Sequence, residues 1–150
     1  MARAPVNHIL VLVDGTESSF RAADKAIALA RALGAKMTAL AVVDTETLRQ
    51  LLNVKILADT EMGEFEKELE QSAQRQLEDV RERAMDQKVT VELVHAAGNT
   101  EMVVPKEVES RRVDLIAMGA FESKKAMHDL LARQRQQILD RSGCPVLVVR

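Results

Sequence analysis

In two segments of the sequence an apolar run is followed closely by a glycine and a carboxylate. VDGTESS at 13–19 carries Asp14, and MGAFESKK at 118–125 carries Gly119 and Glu122. Backbone amides at such a turn donate to phosphate oxygens, whereas an acid at a strand end accepts from a ribose hydroxyl. The two segments are therefore candidates for one site that binds an anion or a nucleotide.

The same residues also suit a structural role. Asp14 with either Thr16 or Ser18 is suited to cap the helix that follows and to satisfy its free amides. Lys124 and Lys125 likewise suit a solvated helix entrance as well as a phosphate. The structural and functional interpretations are compatible, and the sequence leaves both open.

Other chemistries find little support. The histidines at 8, 95 and 128 share no metal-ligand spacing, so we expect no metal site. Neither a nucleophile elbow nor the clustered acids of a phosphoacceptor domain occur. Cys144 is the only cysteine, which excludes an intramolecular disulfide, and it is either a half-buried filler or a redox-sensitive thiol.

The composition predicts one globular domain over residues 1–150. A net charge of −2 gives no reason to expect nucleic acid or a membrane surface as partner, and the absence of Trp and Tyr argues against base stacking. The apolar run near the N-terminus has about six residues, too short for a signal peptide core or a membrane span. We therefore expect a cytoplasmic protein.

Five apolar runs alternate with helical patterns, which predicts an α/β fold with a doubly wound parallel sheet. Four helices are predicted: 18–34, a second whose apolar positions run from 62 to 84, a third at 100–111 and a fourth at 126–140. In the third, Pro105 must either start or kink the helix. The conformation of 44–60 is left open. The predicted strands are 8–13, 36–43, 89–95, 113–118 and 145–149.

Ligands of such sheets bind outside the carboxyl ends of the strands, at the point where the strand order reverses. The first predicted strand ends at VDGTESS and the fourth at MGAFESKK. If these strands are neighbours, both candidate segments face one crevice. The sequence alone does not fix the strand order.

The segments HILVLVDGTESSFRA, GAKMTALAVVD, VDLIAMGA and SGCPVLVVR, with their spacing, resemble the universal stress protein family (UspA-like domain) over nearly the whole chain. This resemblance implies a Rossmann-like fold of the adenine nucleotide alpha-hydrolase type, with five strands in the order 3-2-1-4-5. It also implies a homodimer and a role in the stress response. The apolar segment 145–149 is expected at a sheet edge, where it would pair with its copy.

Many members of that family bind ATP through Gly-x-x-Gly, nine further residues, and then Gly followed by Ser or Thr. On this chain the pattern begins at Gly119, but its other positions are Glu122, Ala132 and Arg133. A carboxylate beside a phosphate oxygen costs roughly 1 to 4 kcal/mol. The phosphate half of the site is therefore predicted to be degraded.

The nucleoside half is better matched. Asp14 occupies the family's ribose-side acid position, and Val42 the position whose backbone meets adenine. We expect a homodimer that acts by binding or regulation, with no enzymatic activity, no tightly bound cofactor and an unidentified protein partner. The alternative is a nucleotide-responsive member that binds ATP, ADP or AMP in an altered pocket, a class that includes weak ATPases.

Overall fold

The computed structural model describes residues 5–45, 59–120 and 126–150. Strands and helices alternate along the described chain, which confirms the predicted α/β class. The strands are β1 His8–Leu12, β2 Lys36–Val43, β3 Val91–Ala97, β4 Leu115–Gly119 and β5 Val146–Val149; the helices are α1 Glu17–Leu33, α2 Asp59–Asp86, α3 Thr100–Ser110 and α4 Ala126–Arg141.

The five strands form one parallel sheet in the order β3-β2-β1-β4-β5. This result confirms the order 3-2-1-4-5 that the family resemblance implies. Because β1 pairs with both β2 and β4, the strand order reverses beside β1. The segments that follow β1 and β4 therefore leave the same edge of the sheet side by side.

Each face of the sheet has its own apolar core, because successive side chains of a strand point to opposite faces. In β1, Ile9 and Val11 pack with the buried residues of α1 and α2, whereas Leu10 packs with α3 and α4. All three are fully buried. This two-sided burial explains why the central strands are apolar at consecutive positions.

β3 and β4 each begin two residues later than predicted. Val89 and Val113, the predicted first residues, instead end the turns after α2 and α3. The amide of Val89 donates to the carbonyl of Ala84 at 2.8 Å, and that of Val113 to Val108 at 2.9 Å. Both bonds span five residues, as in a Schellman motif. Each valine was predicted to start a strand because it is β-branched, but it belongs to the end of the preceding helix.

The remaining predictions on elements have mixed outcomes. Pro105 does not start α3, since the helix begins at Thr100 with Asn99 as its cap. Of the open segment 44–60, the residues 46–58 lie outside the described part of the chain. No helix within the described ranges has the length and apolar character that a membrane span requires.

Candidate functional site

Asp14 follows β1 and organises the start of α1. Its Oδ1 accepts from the amide of Thr16 at 3.1 Å and from the Thr16 hydroxyl at 2.6 Å. Thr16 is the N-cap of α1, and its Oγ1 accepts from the amide of Ser19 at 3.2 Å. The capping role expected of this segment is thus carried by Thr16, with Asp14 orienting the cap and Ser18 lying inside the first turn.

The second oxygen of Asp14 forms a salt bridge with Arg135, which belongs to α4. The Arg135 side chain is 11% exposed and the Asp14 side chain 34% exposed. Burial alone would raise the pKa of Asp14, but the charge of Arg135 and the hydrogen bonds from Thr16 and Arg135 lower it below 3.8. Asp14 is therefore ionised at neutral pH and already paired with a cation.

A second contact attaches α4 to the same edge of the sheet. The buried Gln134 donates from Nε2 to Oδ2 of Asp44, just after β2, at 2.9 Å. The same oxygen accepts from the amide of Thr100 at 3.1 Å and from its hydroxyl at 3.3 Å. Two adjacent residues of α4 thus contact the carboxylates that follow the two neighbouring strands β1 and β2.

Gly119, the last residue of β4, packs directly against the start of α1. A Cβ added to Gly119 would lie 2.6 Å from the carbonyl carbon of Ser18 and 2.6 Å from the amide nitrogen of Ser19. Real Cβ atoms do not approach backbone atoms that closely. The packing of β4 against α1 therefore requires a glycine at position 119, whether or not its amide binds a ligand.

The backbone of Val42 faces the crevice. The carbonyl of Leu40 accepts from the amide of Val13 at 2.9 Å, on the β1 side of β2. Peptide groups of a strand alternate in direction, so those of Val42, two residues further on, point to the same side. β1 ends at Leu12, and the peptide of Val42 lies beyond that end, near where Asp14 follows.

Two of the positions expected to meet phosphate lie in a helix. Ala132 and Arg133 lie within α4, where Ala132 is half-buried and Arg133 exposed. As a residue of a right-handed helix, Ala132 has a negative φ, and alanine there is not strained. Glu122, with Lys124 and Lys125, lies outside the described residues.

Arg135, Gln134 and Asp44 are the site residues that sequence reasoning missed. The only signal was their position: Asp44 follows a predicted strand, and Gln134 and Arg135 directly follow the degenerate phosphate pattern. Among the described residues no group of three or more His, Cys, Asp or Glu is arranged to hold a metal ion. His8 has a structural role. Its Nδ1 lies 2.9 Å from the carbonyl oxygen of Arg111, and its Nε2 lies 2.7 Å from the hydroxyl oxygen of Thr38.

The sequence of the chain is similar to that of known proteins. The sequence matches the model of the universal stress protein family over residues 5–150. The chain belongs to the universal stress protein family. Among curated relatives of this family, universal stress protein YxiE of Bacillus subtilis (strain 168) is 28% identical over 149 residues, covering 96% of this chain and 99% of that protein.

Solved structures of universal stress proteins share the fold. Universal stress protein UspA from Lactobacillus plantarum superposes with a TM-score of 0.79 at 20% identity, covering 100% of both chains. A universal stress protein family protein from Arabidopsis thaliana, At3g01520, was solved with AMP bound; its TM-score is 0.68 at 17% identity, covering 95% of this chain and 90% of that one.

Proposed function

We propose that this universal stress protein acts by binding or regulation in the stress response, as a cytoplasmic homodimer, and that its crevice does not bind ATP tightly. The observation that carries the proposal is the salt bridge between Asp14 and Arg135. A ribose that hydrogen-bonds to Asp14 must first displace a guanidinium that is largely buried. Separating a partly buried, hydrogen-bonded charge pair is unfavourable, so Arg135 opposes nucleoside binding.

The residues at the phosphate positions support the same proposal. Arg133 replaces a small hydroxyl residue, and it lies within α4 beside the buried Gln134. The amide groups of a helix interior donate to the helix itself and are not free to bind phosphate. Of the ATP pattern, Gly119 alone is kept, and the packing against Ser18 and Ser19 already accounts for it.

A nucleotide-responsive member is the second candidate, favoured by the direction of the Val42 peptide. That backbone and Asp14 border one crevice, which is what an adenosine needs. One solved universal stress protein is a complex with cAMP, and the Arabidopsis protein contains AMP. In this alternative Arg135 leaves Asp14 and pairs with a phosphate instead. A weak ATPase belongs to this class.

The homodimer rests on β5. This strand is at the edge of the sheet, pairs only with β4 among the described strands, and exposes 44% of Val148. An apolar edge strand is a template for pairing with another chain. We assign it to antiparallel pairing of residues 145–149 across a two-fold axis, which leaves the helical surfaces available to an unidentified protein partner.

Analysis of the small molecules that co-purify with the protein tests the proposal. Because the protein has no Trp and no Tyr, the ultraviolet absorbance of a bound adenine is conspicuous. We expect native protein to carry no stoichiometric nucleotide, as judged by absorbance and by mass spectrometry of the released molecules. Stoichiometric ATP, ADP, AMP or cAMP contradicts the proposal and selects the second candidate.

A further inference from the structure

A cavity of about 440 Å³ lies between α3 and α4, at the amino-terminal edge of the sheet. Its floor is apolar core: Val104, Val113, Ile116 and Ile138 line it, and each is at most 6% exposed. The volume lies within the range of small-molecule sites, which are mostly apolar with a few polar groups. The crevice beside Asp14 lies at the opposite, carboxyl-terminal edge, so this cavity is a separate place in the fold.

Two arginines border the cavity together with its apolar floor. Arg112 follows α3, and Arg141 is the last residue of α4. Both side chains are exposed, and neither forms an ion pair with any described residue. By contrast, Arg111, the neighbour of Arg112, pairs with both Glu92 and Glu107.

The turn after α3 fixes where Arg112 lies. Its amide donates to the carbonyl of Glu109 at 3.3 Å, and the next amide, of Val113, donates to Val108 at 2.9 Å. These bonds hold the backbone of Arg112 beside the cavity. Glu109 also lines the cavity, so two guanidinium groups and one carboxylate leave one excess positive charge there.

We propose that this cavity binds an amphipathic carboxylate, with its hydrocarbon chain on the apolar floor and its carboxylate at Arg112 and Arg141. Apolar walls select a chain, because hydrocarbon placed there leaves water. Guanidinium groups select a carboxylate, because they donate parallel N–H bonds that match its two oxygens. A medium-length saturated chain is small enough for a cavity of about 440 Å³. The assignment is independent of what the crevice at Asp14 binds.

Calorimetric titration with decanoate, below its micelle concentration, tests the proposal. We expect saturable 1:1 binding to the full-length protein, with 1-decanol and decylammonium binding roughly tenfold more weakly or not at all. The double variant R112Q/R141Q should lose roughly tenfold in decanoate affinity while its affinity for 1-decanol stays unchanged. The double variant K67Q/R75Q removes the same charge from exposed positions of α2, on the other face of the sheet, and should bind decanoate like the wild type.

A second variant tests the apolar part. Val108 lines the cavity and is half-buried, so Val108→Phe places a ring in the space of the chain. It should abolish decanoate binding while circular dichroism shows the native helix content. Equal binding of decanoate, decanol and decylammonium, or equal losses in both double variants, overturns the proposal. So does binding that appears only in a monomeric variant, because a second copy of the chain would then cover the cavity.

Discussion

Arg135 of α4 forms a salt bridge with Asp14, the carboxylate that follows β1 and that the family resemblance assigns to a ribose. The adjacent Gln134 donates to Asp44, after β2, at 2.9 Å. One helix therefore places two side chains against carboxylates at the carboxyl-terminal edge of the sheet.

Replacing Arg135 should open the crevice to a nucleoside. Arg135→Gln removes the cation from Asp14, so adenosine no longer has to displace it, and we expect adenosine affinity to rise about fivefold, near 1 kcal/mol. Arg133→Gln removes the same charge from an exposed position two residues earlier on α4. The matched control should leave adenosine affinity unchanged. Calorimetry measures the adenosine affinity of both variants. Equal increases in both would show that net charge, and not the salt bridge, controls adenosine affinity.

The carboxylate of Asp114 should stabilise the fold above about pH 4. Its oxygens accept from the amides of Asn7 at 2.9 Å and His8 at 3.0 Å. Burial alone would raise the pKa of Asp114, but these hydrogen bonds lower it below 3.8. A lowered pKa stabilises the folded state above the unfolded pKa of about 3.9, and this stabilisation is lost as the pH falls through the folded value.

We therefore expect Asp114→Asn to lower the free energy of unfolding by about 1 kcal/mol at pH 7, since the partly exposed site weakens the charge effect. The gap between variant and wild type should close as the pH falls below about 4. Urea unfolding at several pH values measures it. Glu82→Gln, at an exposed position of α2, is the control. A gap that stays constant across this pH range would contradict the assignment.

Gly119 should tolerate no side chain. Gly119→Ala places a methyl group 2.6 Å from backbone atoms of Ser18 and Ser19, so β4 and α1 must separate, at a cost of about 1–3 kcal/mol or more. Gly63, in α2, has nothing within 4 Å of an added Cβ. Gly63→Ala should instead stabilise the protein by roughly 0.5–1 kcal/mol through helix propensity. Thermal unfolding measures the stability of both variants. A Gly119→Ala variant as stable as the wild type would contradict the packing argument.

The edge strand β5 should mediate assembly. Val148→Lys introduces a charge at an apolar, 44% exposed edge position and should give monomer or precipitate. Arg150→Lys, which keeps the charge just after the strand, should assemble like the wild type. Analytical ultracentrifugation at micromolar concentration measures the state. A wild-type protein that sediments as a monomer would exclude the proposed pairing.

Sequence reasoning predicts the elements well because burial on both faces leaves an apolar run for each of the central strands β1, β2 and β4. It misplaces the starts of β3 and β4 because Val89 and Val113 have high β propensity but close helix ends through backbone bonds. Their neighbours Lys88 and Arg112 take a positive φ of 60° and 54°, where glycine is the usual signal. The sequence therefore has no glycine at position 88 or 112 to mark the turns that precede β3 and β4.

The site is predicted in part. Asp14, Val42 and Gly119 are brought to one edge of the sheet because the strand order places β1 beside both β2 and β4. Arg135 and Gln134 were missed because their partners, Asp14 and Asp44, lie about a hundred residues away in sequence, and such pairs appear only when a helix is docked. Periodicity assigns a helical residue to a face but does not name what that face meets.

The most direct test of the central claim is calorimetric titration of ATP into the wild type and into variants with the family residues restored. We expect the wild type to bind ATP no better than about millimolar, near −4 kcal/mol. ATP meets both the Arg135 salt bridge at Asp14 and the altered phosphate positions, whereas neutral adenosine meets only the salt bridge and should be weakened less. Glu122→Gly with Arg133→Ser should improve ATP affinity at least about tenfold.

Adding Ala132→Gly to that pair places glycine inside α4 and should cost stability of about 1 kcal/mol without adding affinity. The triple variant should therefore keep the gain of roughly tenfold over the wild type. A degraded phosphate half predicts weak wild-type binding together with this gain. Micromolar ATP binding by the wild type, or no gain in either restored variant, would contradict it.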